Sequence, residues 1–228
     1  MHISVVTLFP EIFSPVLNFS ILGRAQKKGV ITIDLVNLRD FGIGAHKSVD
    51  DKPYGGGAGM VLRVDVVHAA ILKIKKTHPG AQVILLDPKG KPFSQTLAEN
   101  LSKIPDMILI CGHYEGFDER IREFIDMEVS LGDFVLTGGE IPAMAVIDAV
   151  GRLIPGVLGK DDSPLLESFS VTPDGRILEH PHYTRPQEYK GLPVPEALLS
   201  GNHAEITKDR RKKSILVTKE KRPDLLRK

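Results

Sequence analysis

The sequence predicts an α/β domain with a parallel sheet over residues 1–158, a linker at 159–172, and a small, mainly helical, basic domain at 173–228. Three observations carry that prediction. Short apolar runs stop at turn residues, as strands of a buried parallel sheet do. Helical spacings of apolar residues lie between those runs, which is the alternation of an α/β domain. The charge balance changes sign near the C-terminal end.

The strands come first. Ile3–Phe9 is a β-rich apolar run ended by Pro10, and Val30–Val36 is bounded by Gly29 and Asn37. Val83–Leu86 stops at Asp87-Pro88-Lys89-Gly90, a strong turn signal. Met107–Cys111 stops at Gly112, and Met127–Leu131 ends at Gly132.

The helices fall between them. Val64–Lys76 places Val67, Ala70, Ile71 and Ile74 on one face, with lysines in the last turn where they complement the helix dipole. Ser94 can cap a helix running to Leu101. Glu140–Leu153 is apolar on most sides, which marks a helix buried in a core or an interface; Pro142 sits in its first turn, where proline is tolerated. Beyond the polar linker come a proline-rich stretch and helices at Pro195–Ser200, Asn202–Val217 and Pro223–Leu226.

Composition narrows the function. Hydrophobic residues make up 42% and charged residues 26% of 228 residues, ordinary for a soluble globular protein able to bury a core without disulfide or metal. The single cysteine, Cys111, excludes an internal disulfide. The N-terminus lacks a basic lead-in and a cleavage site, and no apolar stretch approaches the roughly 20 residues of a membrane span. A cytoplasmic protein without membrane contact is therefore expected. Residues 203–228 carry ten Lys/Arg and four Asp/Glu, whereas the rest carries 20 and 25. That tail is either a solvated helix face or a contact for a polyanion.

Three glycine-rich segments follow predicted strands: Asp87–Gly90, Gly112–Gly116 and Leu131–Gly139. Ligands of open α/β sheets bind beyond the carboxyl ends of the strands, and glycine lets a ligand approach the backbone. Three such loops together point to one shared pocket. The chain has no P-loop, no G-x-G-x-x-G, no G-x-S-x-G and no H-E-x-x-H. His180-Pro-His182 is a poor metal pair without clustered Cys or carboxylate ligands, so no metal ligands are assigned and a structural or RNA-facing role is expected. His46–Tyr54 is a charged loop, either solvated or facing a ligand. Arg152, at the end of the buried-looking helix, either complements the helix dipole or positions an anion.

Several longer segments carry a family resemblance. They are Leu8-Phe-Pro-Glu11, Val49-Asp-Asp-Lys-Pro-Tyr-Gly-Gly-Gly57, Cys111-Gly-His-Tyr-Glu-Gly-Phe-Asp-Glu-Arg120, Gly132-Asp-Phe-Val-Leu-Thr-Gly-Gly-Glu140, Ile154-Pro-Gly-Val-Leu-Gly159 and His180-Pro-His-Tyr-Thr-Arg-Pro186. In this order, over nearly the whole chain, they resemble the bacterial tRNA (guanine-N1)-methyltransferases.

The resemblance implies a knotted SPOUT-type α/β domain, a small helical C-terminal domain, and a homodimer whose active sites are shared between subunits. It implies S-adenosyl-L-methionine as methyl donor and, as substrate, a tRNA with a guanine just 3′ of the anticodon. It leaves Mg²⁺ open as an auxiliary ion. The cofactor positions it implies are Leu86, Asp87, Pro88 and Gly90; Gly112, Tyr114 and Glu115; then Leu131, Gly132, Asp133, Phe134, Val135, Leu136, Gly138, Gly139 and Pro142. Phe134 stands where relatives often carry Tyr, which removes a phenol hydrogen bond. Arg152 matches the family's catalytic arginine. Glu167, before Ser168-Phe169, stands where the family has its Asp general base, one methylene longer. His46, Asp50, Lys208, Arg210 and Arg211 are expected to contact tRNA.

From the residues alone two other classes stay open. One is a nucleotide-dependent oxidoreductase, which the missing dinucleotide fingerprint counts against. The other is a non-catalytic RNA-binding protein. A titration with S-adenosyl-L-methionine separates both from a methyltransferase.

Overall fold

In the computed structural model, the described residues are 1–158 and 167–226, and the chain divides into two compact units, Met1–Gly159 and Lys160–Lys228. The first contains β1 (His2–Thr7), α1 (Ser14–Leu17), α2 (Ser20–Lys27), β2 (Thr32–Asn37), β3 (Asp50–Asp51), β4 (Val61–Leu62), α3 (Val64–Lys75), β5 (Gln82–Pro92), α4 (Gln95–Leu101), β6 (Asp106–Cys111), β7 (Met127–Ser130) and α5 (Glu140–Gly151).

Five strands form one parallel sheet in the order β2-β1-β6-β5-β7. The interior strands are buried on both faces, which is why Val83–Leu86 and Met107–Cys111 read as unbroken apolar runs. Their side chains alternate between two cores. Ile3, Val5, Ile84 and Leu109 pack with α2, α4 and α5, while Val83, Leu85, Ile108 and Ile110 pack with α3. Each Val, Leu or Ile fully buried this way contributes about 1.5–3 kcal/mol.

Several elements depart from the sequence expectation. β1 stops at Thr7, because the Thr7 hydroxyl accepts from the Phe9 backbone N–H at 3.0 Å and a 3₁₀ turn begins at Pro10. β2 lies at the sheet edge and is half-exposed rather than buried. β5 does not end at Leu86: it bulges across Asp87–Gly90, and Lys91 and Pro92 pair again with Val129 and Ser130 of β7. α5 is not buried all round; Ala143, Val146, Ile147 and Val150 face the core, while Ile141 is 50% exposed.

The second unit contains β8 (Ser170–Thr172), β9 (Gly175–Ile177), β10 (Glu188–Tyr189), β11 (Leu192–Pro193), α6 (Glu196–Leu199) and α7 (His203–Lys221). β8 and β9 form one antiparallel hairpin, β10 and β11 another. Ser170–Thr172, placed in the linker by sequence, are thus a strand of this unit; linker residues 159–166 lie outside the described residues. α7 starts where expected, with the Asn202 side chain accepting from the Ala204 and Glu205 backbone N–H groups, and runs to Lys221. The fully buried Thr218 hydroxyl accepts from the Leu178 N–H at 2.8 Å and donates to the Ser214 carbonyl at 2.6 Å, pinning α7 to the end of β9.

Candidate active site

The carboxyl ends of β6, β5 and β7 are neighbours in the sheet, so the loops that follow them meet. They enclose a cavity of about 330 Å³. From the first loop, Leu86, Asp87 and Pro88 line it. Asp87 closes its own turn by accepting from the Lys89 N–H at 2.8 Å, and its other oxygen lies 3.6 Å from Arg122. Gly90 does not line the cavity: a Cβ there would stand 2.4 Å from the Val129 nitrogen, so this glycine lets β7 pass.

The second loop contributes Gly112, His113, Tyr114, Glu115 and Phe117. Tyr114 has φ +59°, a left-handed conformation uncommon for a non-glycine residue and often found at functional sites. The Glu115 N–H donates to the Met60 carbonyl at 3.0 Å, and Leu62 and Gly116 are joined at 2.9 Å. The glycine-rich segment 55–59 is thereby docked beside this loop, with Gly59 against the Glu115 side chain.

The third loop brings Leu131, Gly132, Phe134, Val135, Leu136, Gly138 and Gly139, with Pro142 from the first turn of α5. Asp133 is exposed and outside the lining. Gly132, at φ +155°, has the Phe134 ring where a Cβ would be, 2.9 Å away. Gly139 donates to the Gly112 carbonyl at 2.9 Å and faces the strand end so closely that a Cβ would lie 2.6 Å from Cys111 Cα. The sequence suggests that a side chain at residue 139 fills ligand space in a folded protein; in the structure it would first push α5 away from β6.

Sequence alone gives no role to two residues beneath the loops. Glu140 is buried, and its carboxylate accepts from the Thr7 hydroxyl at 2.6 Å and from His113 Nε2 at 2.7 Å. Phe9 packs edge-on against His113, ring centroids 5.0 Å apart. The one sequence signal for Glu140 is a glutamate opening a helix otherwise apolar on most sides. Burial, with Glu140 adding to it, pushes the Cys111 thiol well above its ordinary range, so Cys111 is an inert core residue.

Arg152 caps the C-terminal end of α5, its backbone N–H donating to Asp148 at 3.1 Å. The twelve residues of α5 separate it from Gly139 by about 20 Å, beyond the reach of an arginine side chain. It does not line the cavity.

In the second unit, Glu167 opens a tight turn whose carbonyl accepts from the Ser170 N–H at 3.1 Å and the Ser170 hydroxyl at 2.5 Å. Phe169 in that turn has φ +72°, its N–H donates to Ile177, and Arg176 donates to its carbonyl. Glu167 is therefore carried on a braced turn.

His46 is exposed in a turn, and Asp50 is half-buried in β3, paired with Leu62. On α7, Lys208 and Arg210 are exposed, while Arg211 is tied to Asp174 at 2.7 Å. Arg210 lines a second cavity, wholly within this unit, with His180, His182, Tyr183 and Arg185. Burial foremost, with His182 and Arg210, holds the His180 imidazole below its ordinary pKa. No helix among the described residues is long and apolar enough to cross a membrane.

A family profile described as tRNA (Guanine-1)-methyltransferase TrmD matches residues 1–228. Among similar proteins, the tRNA (guanine-N(1)-)-methyltransferase of Clostridium botulinum is 54% identical over 225 residues, covering 99% of this chain and 92% of that protein. Those of Carboxydothermus hydrogenoformans and Pelotomaculum thermopropionicum are 54% and 51% identical, each across all of this chain and covering 88% and 90% of their own lengths.

Proposed function

Because the chain belongs to the tRNA (guanine-N1)-methyltransferase family, we propose that its cavity holds S-adenosyl-L-methionine while it methylates N1 of the guanine at tRNA position 37. The observation that carries this reading is the meeting of three glycine-bearing loops at the carboxyl ends of β6, β5 and β7 around one cavity. The cavity falls in the size range of cofactor sites, about 300–1,000 Å³. Its walls offer apolar side chains, such as Leu86, Leu131 and Leu136, between loop backbone groups, which suits an adenine ring and its polar edge.

When bound, the cofactor supplies an electrophilic methyl group on a sulfonium. The protein has to release the lone pair on guanine N1, which carries a proton at neutral pH. Glu167 accepts that proton, a contribution of about 10²–10⁴-fold for a positioned base. Arg152 meets the negative charge that spreads to guanine O6 with preorganised donors. Holding N1 in line with the methyl group lowers the barrier further, by up to about 7–11 kcal/mol. Reaching N1 requires the base to leave the anticodon-loop stack.

The reacting centre is completed by a second copy of the chain. In support, the cavity and Arg152 lie at opposite ends of α5, and this helix leaves the apolar Ile141 exposed beside the cavity. A shared site brings Arg152 and Glu167 of one subunit to the cofactor held by its partner. His46 and Asp50 in the first unit and Lys208 and Arg210 in the second hold the anticodon arm, while the cofactor cavity is lined by the first unit alone. On this reading the enzyme works in the cytoplasm, where tRNA is matured. Nothing supports Mg²⁺: the described clusters able to hold a metal ion include imidazoles, whereas Mg²⁺ favours oxygen ligands.

The test is methyl transfer from labelled S-adenosyl-L-methionine to a tRNA bearing guanine or adenine at the target position. Transfer to the guanine form alone is expected. Equal labelling of both, or of neither, refutes the assignment.

A further inference from the structure

Glu179, His180 and His182 form a cluster that methyl transfer does not use. Glu179 directly precedes the histidine pair in sequence, and the structure turns its carboxylate onto His182. Glu179 Oε1 lies 2.8 Å from His182 Nε2, and the His180 and His182 rings are 4.5 Å apart, inclined by 44°. One donor atom from each residue lies within 4.8 Å of the other two. Ligands at the usual Zn–N and Zn–O lengths on a tetrahedron stand about 3.4 Å apart, so small side-chain rotations suffice. The segment is held from below: the Glu179 N–H donates to the Ser168 hydroxyl at 3.0 Å, and the Leu178 N–H to Thr218. Pro181 fixes the backbone torsion between the two histidines.

A second cluster, His2, His78 and Asp106, has the same donor types but a poorer arrangement. Its rings are stacked at 3.8 Å and 8°, so their in-plane lone pairs lie in near-parallel planes and do not converge on one point. The inclined pair does not suffer from this.

We propose that Glu179, His180 and His182 bind a divalent transition metal of the Zn²⁺ class, with a fourth position open to a cavity of about 450 Å³. Two imidazoles, one carboxylate and an open position are a zinc-type donor set. Arg185 and Arg210 line the same cavity, so the fourth ligand is an anionic oxygen that offsets their charge. The metal is absent from the methyl-transfer chemistry and loads the second unit only.

The experiment uses the full chain without an affinity tag, stripped with chelator and titrated with Zn²⁺ by calorimetry. Co²⁺ serves as a spectroscopic substitute. One saturable site per chain is expected, with visible Co²⁺ bands of a four-coordinate nitrogen–oxygen site. Glu179→Gln and His182→Ala should each weaken binding more than about tenfold, since loss of even an outer-sphere partner costs that much. His78→Ala should leave binding unchanged. In the unaltered chain, Zn²⁺ should protect His180 and His182 from diethyl pyrocarbonate, a readout that needs no variant. Unchanged affinity in the His180→Ala/His182→Ala double variant overturns the proposal. So does a loss that follows His78→Ala, or the absence of protection.

Discussion

His113 and Glu140, 27 positions apart, are joined by a 2.7 Å hydrogen bond that ties the loop after β6 to the first turn of α5. Glu140 also accepts from Thr7, so three segments around the cavity hang on one buried carboxylate. Glu140→Ala should destabilise the protein by about 2–4 kcal/mol, because Thr7 is left buried without its partner and His113 partly so. Urea melts should show a lower midpoint with an unchanged slope. A midpoint equal to the parent's would mean that the carboxylate holds nothing in place.

Gly139→Ala places a methyl group 2.6 Å from Cys111 Cα and 2.7 Å from the Gly112 nitrogen. Both thermal stability and S-adenosyl-L-methionine affinity should fall together, because α5 must move off β6. Gly80→Ala is the control, as nothing stands within 4 Å of its Cβ position. Retained affinity at a lowered melting temperature would separate the glycine's packing from the cofactor.

Glu167→Gln keeps size and hydrogen bonding but not basicity. Turnover should drop by about two to four orders of magnitude with cofactor affinity nearly intact. Glu167→Asp should keep far more activity than Gln. Single-turnover rates at saturating tRNA give the comparison, and a Gln variant turning over at the parent's rate removes Glu167 as the base.

Neutralising Lys208, Arg210 and Lys212 should flatten the plot of log affinity for tRNA against log salt by about 2–3, at about 0.7–0.9 for each phosphate that is no longer neutralised. Arg211→Gln should change the slope less, because its guanidinium is engaged by Asp174 at 2.7 Å. An unchanged slope in the triple variant would assign these charges to solvent.

The Arg120 guanidinium, by hydrogen bonding, holds Asp118 below the ordinary carboxylate range. A depressed folded pKa contributes stability above the unfolded value, about 3.9, and that contribution is lost as pH falls through the folded value. Asp118→Asn should therefore lower stability at neutral pH and flatten its decline in acid. Urea melts from neutral pH down to about pH 2 cover that loss, which falls below about pH 5; parallel curves for parent and variant would rule it out.

The sheet and its three loops were legible in the sequence because interior parallel strands bury both faces and end in glycine-rich turns. What escaped is physically of another kind. The β8–β9 and β10–β11 hairpins have strands of two or three residues, too short for any periodicity to register. The bond from Glu140 to Thr7 spans 133 positions and exists only once the sheet has formed. Gly90 carries the same signal as Gly132, yet one glycine clears a strand and the other a ring beside the cavity.

β5 leaves the sheet at Leu86 and rejoins it at Lys91. Residues 87–90 are thus clamped at both ends by the same ladder, and Asp87 closes the turn between. Fixing a backbone residue costs about 1–2 kcal/mol of conformational entropy, and here folding has already borne it. This wall of the cavity is formed before any ligand arrives, so amide exchange at Asp87, Lys89 and Gly90 should be as slow in the free protein as in the loaded one. The loop after β7 has no such clamp at its middle, where Val135 stands 87% exposed at the cavity.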